Sequence, residues 1–418
     1  MKKIFLVLSL FLLTACMQTQ NPNTDSPVET QKSTALPDVS YDQDPVSYYM
    51  DPVEDIMEEY IPMMNTMVKL TVYQGDAESL YNEAYAIMSK YHKLLDSHHI
   101  YRDEEDNIIQ NIKLINDSYG TGAALPVSDE MIEILEEAIN MSKLSLGYFN
   151  PFMGSLIDLW TPKFSAFPIE NTDPSDEDIQ KAKACVPSVH QFDEVLVIDK
   201  EKKTVTFKQL EGCSGAVSIN LGAFSKGYIV DKADELLSSY DAVWLLDAGT
   251  STVTGNDPKG QKTWNAGARS PYNKAAYLYV LQLRNNDSFS TSGDDNSYFI
   301  LNNGDDTTTI RCHILNPFTG VSESTYRTAS VLTQNHAAVS DVLSTVMFTV
   351  SDKNEAFEII DAFEKEYDTD ISVSWVRETD AEFKLAAVET TQDIYDRIIE
   401  ETVMDAVENI ILMEEPKQ

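Results

Sequence analysis

The chain has 418 residues, and its 68 Asp and Glu residues against 31 Lys and Arg residues give a formal net charge of −37. A negative field of this size argues against binding to nucleic acid, or to anionic lipid by charge alone. Hydrophobic residues make up 43% of the chain, which is enough for a large core, and the acidic excess is interpreted as a solubilising surface.

The N-terminus has the pattern of a secretory signal. Two lysines precede an apolar run over residues 4–13 that is too short to span a bilayer. The run ends in Leu-Thr-Ala-Cys, which resembles the lipobox of bacterial lipoproteins. We therefore predict a signal peptide over residues 1–15 and a diacylated Cys16 that anchors the protein on the extracytoplasmic face of the cell membrane. An ordinary cleaved signal with an incidental cysteine is the alternative.

The residues after this cysteine divide into a polar stretch and a large folded part. Residues 16–44 are rich in Gln, Asn, Thr, Ser, Pro and Asp, a composition that predicts a flexible tether. Residues 45–418 contain enough apolar side chains for one large domain or two intimate ones. The three cysteines in this part, Cys185, Cys213 and Cys312, cannot all form disulfides and lack the spacing of a zinc site, so the fold is not a disulfide scaffold.

Hydrophobic periodicity predicts helices mixed with strands. The predicted helices are 76–95, 128–146, 225–238 and 337–350, and the last of these is apolar on most faces, which indicates a buried helix. The predicted strands are 66–74, 193–199, 203–208, 242–247, 276–284, 298–302 and 327–333. This mixture indicates an α+β fold with a substantial sheet.

Residues 218–228 form the first segment with chemical potential. Two glycines and several small residues precede a predicted helix, and Lys226 lies in its first turn. A helix N-terminus presents unpaired N–H groups to a phosphate, and a lysine adds a full positive charge. Without a known nucleotide fingerprint, an ordinary turn is the alternative.

Residues 290–295, Ser-Thr-Ser-Gly-Asp-Asp, form the second segment. The hydroxyl residues could line a pocket, but the pattern alone favours a hairpin turn between two strands.

His313 lies in the third segment, between a predicted strand and an Asn-Pro turn closed by Thr319 and Gly320. A histidine at the end of a strand is a candidate for proton transfer. A structural histidine that bonds a neighbouring carbonyl is the alternative. The adjacent Cys312 points to the opposite face of an extended strand, which favours an inert buried thiol.

Asp341 and Thr345 form the fourth segment, one turn apart on the predicted buried helix. Burying a carboxylate without a partner is costly, and a hard cation such as Mg²⁺ is one suitable partner. The alternative is a helix cap at Asp341 with Thr345 bonded back to a carbonyl.

Together these segments resemble the motifs of the ApbE family of FAD:protein FMN transferases, in the same order and spacing over residues 63–350. The resemblance is carried by Met-Asn-Thr at 64–66, Gly-Tyr-Phe-Asn at 147–150, Gly-Ala-Phe-Ser-Lys-Gly-Tyr at 222–228, Thr-Ser-Gly-Asp at 291–294, residues 312–320 and residues 340–345. It implies a mixed sheet with packed helices, related to the T-fold.

The resemblance also implies roles for individual residues. It assigns Mg²⁺ to the backbone oxygen of Ala223 and to the side chains of Asp341 and Thr345. It assigns contacts with FAD to Met64, Phe149, Asn150, Asn220, Lys226 and His313. Two departures from the family pattern are Asn220, where an acidic residue is common, and Ala-Gly-Thr at 248–250, where the family has Gly-Gly-Asn.

The reaction implied is attack by a threonine or serine hydroxyl of an acceptor protein on the FMN-side phosphorus of FAD. His313 is the first candidate for assisting deprotonation of the hydroxyl, and Asp294 is the second. The expected partners are FAD, extracytoplasmic acceptor proteins with FMN-binding domains, and the membrane through the lipid anchor, but no nucleic acid. The alternatives are hydrolysis of FAD to FMN and AMP, a non-enzymatic flavin-binding or solute-binding lipoprotein, and a structural surface protein.

Overall fold

The computed structural model of this chain describes residues 49–51, 56–63, 66–165, 171–249, 251–305, 307–382 and 384–413. The predicted signal peptide, lipidated Cys16, tether and flavin contact Met64 lie outside the described residues. All described residues belong to one compact unit, Pro45–Gln418. No helix among them is both long and apolar enough to span a membrane.

The elements alternate along the chain. The helices are α1 (Ala77–Leu95), α2 (Ile112–Asp117), α3 (Asp129–Leu144), α4 (Gly154–Ser165), α5 (Asp176–Lys183), α6 (Phe192–Val195), α7 (Ser225–Leu237), α8 (Ala337–Thr349), α9 (Lys353–Tyr367) and α10 (Gln392–Arg397). The strands are β1 (Tyr49–Asp51), β2 (Ile56–Met63), β3 (Thr66–Gln74), β4 (Leu125–Pro126), β5 (Leu196–Asp199), β6 (Thr204–Phe207), β7 (Val243–Ala248), β8 (Thr252–Asn256), β9 (Trp264–Ser270), β10 (Asn273–Leu283), β11 (Asp287–Gly293), β12 (Tyr298–Asn302), β13 (Thr308–Cys312), β14 (Thr328–Gln334), β15 (Ser372–Asp380), β16 (Leu385–Thr390) and β17 (Val407–Leu412).

Within the described ranges, ten of these strands form one sheet in the order β1-β2-β3-β7-β8-β11-β14-β15-β16-β17. Its neighbours pair antiparallel except β16 and β17, whose parallel pairing makes the sheet mixed. Alternation fixes which face of a strand is buried: Val68, Leu70 and Val72 of β3 all lie in the main core. The prediction of an α+β fold with a large sheet is therefore confirmed.

The main sheet lies between two layers. Helix α8 packs on β11 and β14, and α7 packs on α8 and α1, so these helices cover one face. The hairpin of β9 and β10 contributes Leu278, Tyr279 and Leu281 to a second core that covers the other face, together with Phe289 and Leu332 of the sheet. Helices and a hairpin thus bury both faces of the central strands.

Local signals account for the helices that were predicted correctly. The Asp76 carboxylate accepts a hydrogen bond from the Ser79 N–H at the start of α1, and Ser128 accepts one from the Met131 N–H at the start of α3. Helix α3 ends at Leu144, two residues before the predicted end, and Gly147 follows with a φ of 89°, a conformation that favours glycine.

Two sequence-based predictions were wrong in detail. Residues 192–195 form the short helix α6, so the strand predicted over 193–199 begins only at Leu196. Residues 290–293 belong to β11 in the main sheet, and the favoured hairpin turn is absent at that place. Ladder bonds to β14 along the whole strand, and to β8 as far as Ser290, outweigh the turn propensity of the Ser, Thr and Gly residues there.

The cysteines show one pairing that the sequence did not reveal. Cys185 and Cys213 form a disulfide bond, while Cys312 is a buried free thiol. The expectation that the three cysteines cannot all pair is confirmed. The inert character expected of Cys312 agrees with its pKa, which burial raises to about 11.

Candidate active site

The segment before α7 is held by the loop that follows α3. The backbone N–H of Asn220 donates to the carbonyl of Pro151 at 2.8 Å, and the N–H of Gly154 donates to the carbonyl of Ser218 at 2.8 Å. The Asn220 side chain accepts a hydrogen bond from the Gly222 N–H at 2.9 Å, which fixes the turn into α7. The segments around Asn150 and Asn220 are therefore neighbours.

Gly227 brings α7 against α8. A Cβ atom at this glycine would clash with the carbonyl of Ala337 at the start of α8, so only glycine allows this approach. The close packing lets the Asp341 carboxylate accept a hydrogen bond from the Gly227 N–H at 3.0 Å. This N–H belongs to the first turn of α7, whose N-cap residue Phe224 provides no side-chain acceptor.

The Asp341 carboxylate has three polar neighbours. Besides the Gly227 N–H, its other oxygen accepts a hydrogen bond from the Ser251 hydroxyl at 3.2 Å. The Lys226 ammonium, on a side chain that is about a quarter exposed, lies 3.8 Å from the oxygen that accepts the Gly227 N–H. Asp341 itself is 2% exposed. It therefore caps α7, whereas the alternative considered from the sequence was a cap on its own helix.

Thr345 differs from the rest of α8 in its exposure to solvent. Every other residue of α8 is buried, and Thr345 alone is partly accessible to solvent. Its hydroxyl lies 3.1 Å from the Ser292 hydroxyl of β11. It does not bond back to a carbonyl of its own helix, as the alternative interpretation required.

His313 follows β13 directly and lies beside a loop that begins at the end of β11. Its backbone N–H donates to the carbonyl of Ser297, and its Nδ1 lies 3.1 Å from the carbonyl of Asn296. The residue is exposed, but the surrounding protein atoms desolvate the imidazole enough to lower its pKa. The hydrogen bond with Asn296 opposes this shift, and the nearby Lys226 charge adds to it. The charge of Lys226, in the first turn of α7, thus acts on His313.

Asp294 lies one residue beyond β11 and forms an ion pair with Arg327. One of its oxygens accepts a hydrogen bond from Arg327 at 2.6 Å, and the same guanidinium donates to Glu378 at 2.6 Å. The other Asp294 oxygen is buried without a hydrogen-bond partner. Burial raises the pKa of Asp294 to about 6, although Arg327 opposes this shift.

Phe149 and Asn150 make contacts within the protein. Phe149 is buried and stacks on Phe224 with ring centroids 6.4 Å apart. The Asn150 amide donates to the carbonyl of Pro187 and accepts from the N–H of Phe152, both at 2.9 Å. These bonds shape the loop that holds Asn220, and direct contacts of the two residues with FAD stay a prediction.

A sequence model of the ApbE family matches residues 64–369, which is well over half of the chain. The chain belongs to the ApbE family.

Similar proteins agree with this assignment. A protein of Rhodobacter capsulatus named FAD:protein FMN transferase is 25% identical over 247 residues, which cover 58% of this chain and 43% of that protein. A protein of the same name from Chlamydia muridarum is 28% identical over 257 residues, which cover 60% of this chain and 72% of that protein. The match thus spans less than half of the Rhodobacter relative.

The fold is shared with solved structures of the family. An ApbE protein of Thermotoga maritima superposes with a TM-score of 0.63 at 21% identity, over 86% of this chain and all of that one. At this level of identity the likeness concerns the fold, and the ApbE fold of the chain is confirmed.

The ApbE motif residues in the described ranges fit a hard cation. No group of three or more His, Cys, Asp or Glu side chains suited to a metal occurs in those ranges. The candidate oxygen donors are the Asp341 carboxylate and, one turn on in α8, the Thr345 hydroxyl. The Ala223 carbonyl precedes the N-cap of α7 and lies outside the hydrogen bonds of that helix. Carboxylate, hydroxyl and carbonyl oxygens are the donors that Mg²⁺ accepts, so this set fits it.

Sequence reasoning missed several residues of the site. Ser292 stood inside a recognised motif without a role, and Ser251 follows the departure at 248–250. Within that departure, Gly249 has a φ of 63° and its carbonyl accepts a bond from Thr66. Arg327 carried no local signal, because its partner Asp294 lies 33 residues away in the chain.

Proposed function

We propose that this ApbE-family chain is an FAD:protein FMN transferase that depends on Mg²⁺. It would transfer FMN from FAD to a threonine or serine of an acceptor protein through a phosphoester bond and release AMP. The observation that carries the proposal is the hydrogen bond from Gly227 to Asp341, which brings together the segment predicted to bind phosphate and the segment predicted to bind the metal. The names of the Rhodobacter and Chlamydia relatives support the same reaction.

The residues that would hold the ion are Ala223, Asp341 and Thr345. Bound Mg²⁺ would offset the negative charge of the pyrophosphate oxygens. Lys226 and the N-terminus of α7 would bind and orient the phosphates, since both present positive charge on the same side of Asp341.

His313 would take the proton of the incoming hydroxyl. The carbonyl of Asn296 can only accept a hydrogen bond, so Nδ1 carries the proton and Nε2 is free to act as a base. As the hydroxyl oxygen bonds to the FMN-side phosphorus, the bond from phosphorus to the AMP oxygen breaks and the hydroxyl proton moves to Nε2. AMP leaves with the electron pair of the broken bond.

Asp294 is the second candidate for this proton. One carboxylate oxygen of Asp294 has no hydrogen-bond partner and the pKa of the group is raised, and both features suit a base. The ion pair with Arg327 favours the charged form of the carboxylate and reduces its basicity.

The proposed location is the extracytoplasmic face of the cell membrane, with lipidated Cys16 as the anchor and proteins with FMN-binding domains as acceptors. Support comes from the signal-like N-terminus and from the Cys185–Cys213 bond, since disulfides persist mainly in oxidising compartments.

The test mixes purified protein with FAD, Mg²⁺ and an acceptor protein and measures acceptor mass and released AMP. The proposal expects FMN on the acceptor with one AMP per transfer, and none with Asp341→Ala. Asp193→Ala, at an exposed surface aspartate, serves as the matched control and should keep full activity. Free FMN without a modified acceptor would indicate hydrolysis instead, and absence of turnover with several acceptors would favour a flavin-binding protein.

A further inference from the structure

We propose that Ser344 and Ser292 are positioning residues that orient the Thr345 hydroxyl, so that its lone pairs face the metal position and its proton points away. The inference rests on the proposed metal site. It follows from a chain of hydroxyl hydrogen bonds between α8 and β11 in which the direction of every bond can be assigned.

The chain of hydroxyls ends on the backbone of α8. The Ser344 hydroxyl donates to the carbonyl of Asp341 at 2.9 Å. A carbonyl oxygen can only accept, and a hydroxyl has a single proton, so the Ser344 proton is used in this bond. Toward every other partner Ser344 is therefore an acceptor.

The direction of this bond fixes the direction of the two bonds made by Ser292. Ser292 lies 2.8 Å from the Ser344 hydroxyl, so Ser292 must donate to it. Having used its own proton, Ser292 must accept the bond from Thr345 at 3.1 Å. The Thr345 proton thus points to Ser292, and its lone pairs point away from β11.

The other possible acceptor for the Thr345 proton is a backbone carbonyl of its own helix, and this carbonyl is already occupied. A threonine inside a helix commonly bonds back to the carbonyl four residues earlier, which here is that of Asp341. This carbonyl already accepts the backbone N–H of the helix and the Ser344 hydroxyl, which fill its two lone pairs. Ser344 therefore occupies the carbonyl to which the Thr345 hydroxyl would otherwise donate. It also fixes the orientation in which the Thr345 proton points to Ser292.

A second chain one turn earlier provides an internal comparison. Ser340 donates to the carbonyl of Ala337, Ser290 lies 2.7 Å from Ser340, and Thr252 lies 2.9 Å from Ser290. Its last member, Thr252, is buried with 1% exposure, whereas Thr345 is partly accessible. Of these two chains in the described sheet, the one through Ser344 ends on a hydroxyl that a ligand can reach.

The test measures binding of Mn²⁺ to the purified full-length protein without FAD, by the loss of the free-ion electron paramagnetic resonance signal. Ser344→Ala should weaken binding about tenfold, the lower end of the usual effect of removing a group that orients a metal ligand. Ser340→Ala removes a hydroxyl with the same 0% exposure from the same helix and should change the affinity less than twofold. Unfolding in urea, measured for both variants, checks that they fold equally well.

Thr345→Val separates orientation from a general structural effect. It should weaken Mn²⁺ binding by itself, and adding Ser344→Ala in that background should cause no further loss, because the hydroxyl to be oriented is gone. Full additivity of the two losses, or unchanged affinity in Ser344→Ala, would overturn the inference and leave the metal site intact. Failure of the wild-type protein to bind either Mn²⁺ or Mg²⁺ would overturn the metal site together with the inference.

Discussion

At the scale of single residues, the protonation state of His313 decides what it can do. The Asn296 carbonyl holds the proton on Nδ1, and desolvation together with Lys226 lowers the pKa below the ordinary value of 6.5. A base must be neutral to accept a proton. The lowered pKa keeps the imidazole neutral at physiological pH, and the acid limb of the rate profile should lie below pH 6.5.

We expect His313→Asn to keep FAD affinity within a few-fold and to lower turnover by roughly a hundredfold or more, the usual range for losing a general base. The wild-type rate should fall as the pH drops through the lowered histidine pKa, and the variant should lose this limb. The measurement is the rate of AMP release against pH at saturating FAD.

Two results would contradict this role for His313. Recovery of the wild-type rate at saturating FAD would make it a flavin contact only. Persistence of an acid limb near pH 6 in the variant would assign the proton to Asp294, whose pKa is raised to about 6.

At the scale of elements, the contact between α7 and α8 brings the residues of the candidate site together. It depends on Gly227, and Asp231 of α7 in turn accepts the N–H of Ala338 at 2.8 Å at the start of α8. Each helix thus provides a carboxylate for the N-terminus of the other, which aligns both positive helix ends.

Gly227→Ala should lower the free energy of unfolding by about 2 kcal/mol, because the added Cβ pushes the helices apart in a tightly packed region. It should also weaken Mn²⁺ binding, since the Gly227 N–H would no longer hold Asp341. Urea unfolding measures the first effect. Gly215→Ala is the matched control, because its Cβ would meet only the Cys185 sulfur at an ordinary 3.6 Å, and equal stability losses in both variants would argue against the close contact.

The disulfide acts on the loop that leads into α7. It closes a loop between residues 28 apart, and the bonded Cys213 lies just before the segment that holds Asn220. Reduction should lower the free energy of unfolding by about 3 kcal/mol, from the larger conformational entropy of the unfolded chain. Urea unfolding with and without dithiothreitol measures this, and a Cys185→Ser, Cys213→Ser double variant should not respond to the reductant. An equal response in the double variant would show that the disulfide is not its source.

At the scale of the whole molecule, the net charge and the signal-like N-terminus bear on how the protein is attached to the membrane. A formal charge of −37 repels an anionic membrane surface, so stable attachment requires an anchor. We expect Cys16→Ser to move the protein from the membrane fraction to the soluble or secreted fraction while its activity on FAD in solution is kept.

Fractionation of cells followed by immunoblotting measures this, with Cys312→Ala as a control that should stay in the membrane fraction. Retention of the Cys16→Ser protein on membranes would contradict the lipid anchor.

Local sequence signals were sufficient for the features that depend on neighbouring residues. Periodicity and caps were enough to place α1, α3 and the buried α8, and the ordered motifs, which include Lys226, His313 and Asp341, were enough to identify the family. The strand β11 was missed because its Ser and Thr residues carry hydroxyls on both faces, which removes the apolar alternation that reveals a strand.

Contacts between groups that are distant in the chain depend on the packing of the folded protein. Gly227 and Asp341 are 114 residues apart, and Ser292 and Thr345 are 53 apart, so their bonds exist only once α7, α8 and β11 are packed. The pairing of Cys185 with Cys213 has the same origin, because cysteine spacing does not specify connectivity. Motifs therefore predicted the residues of the candidate site, while the packing of helices on the sheet determined the bonds among them.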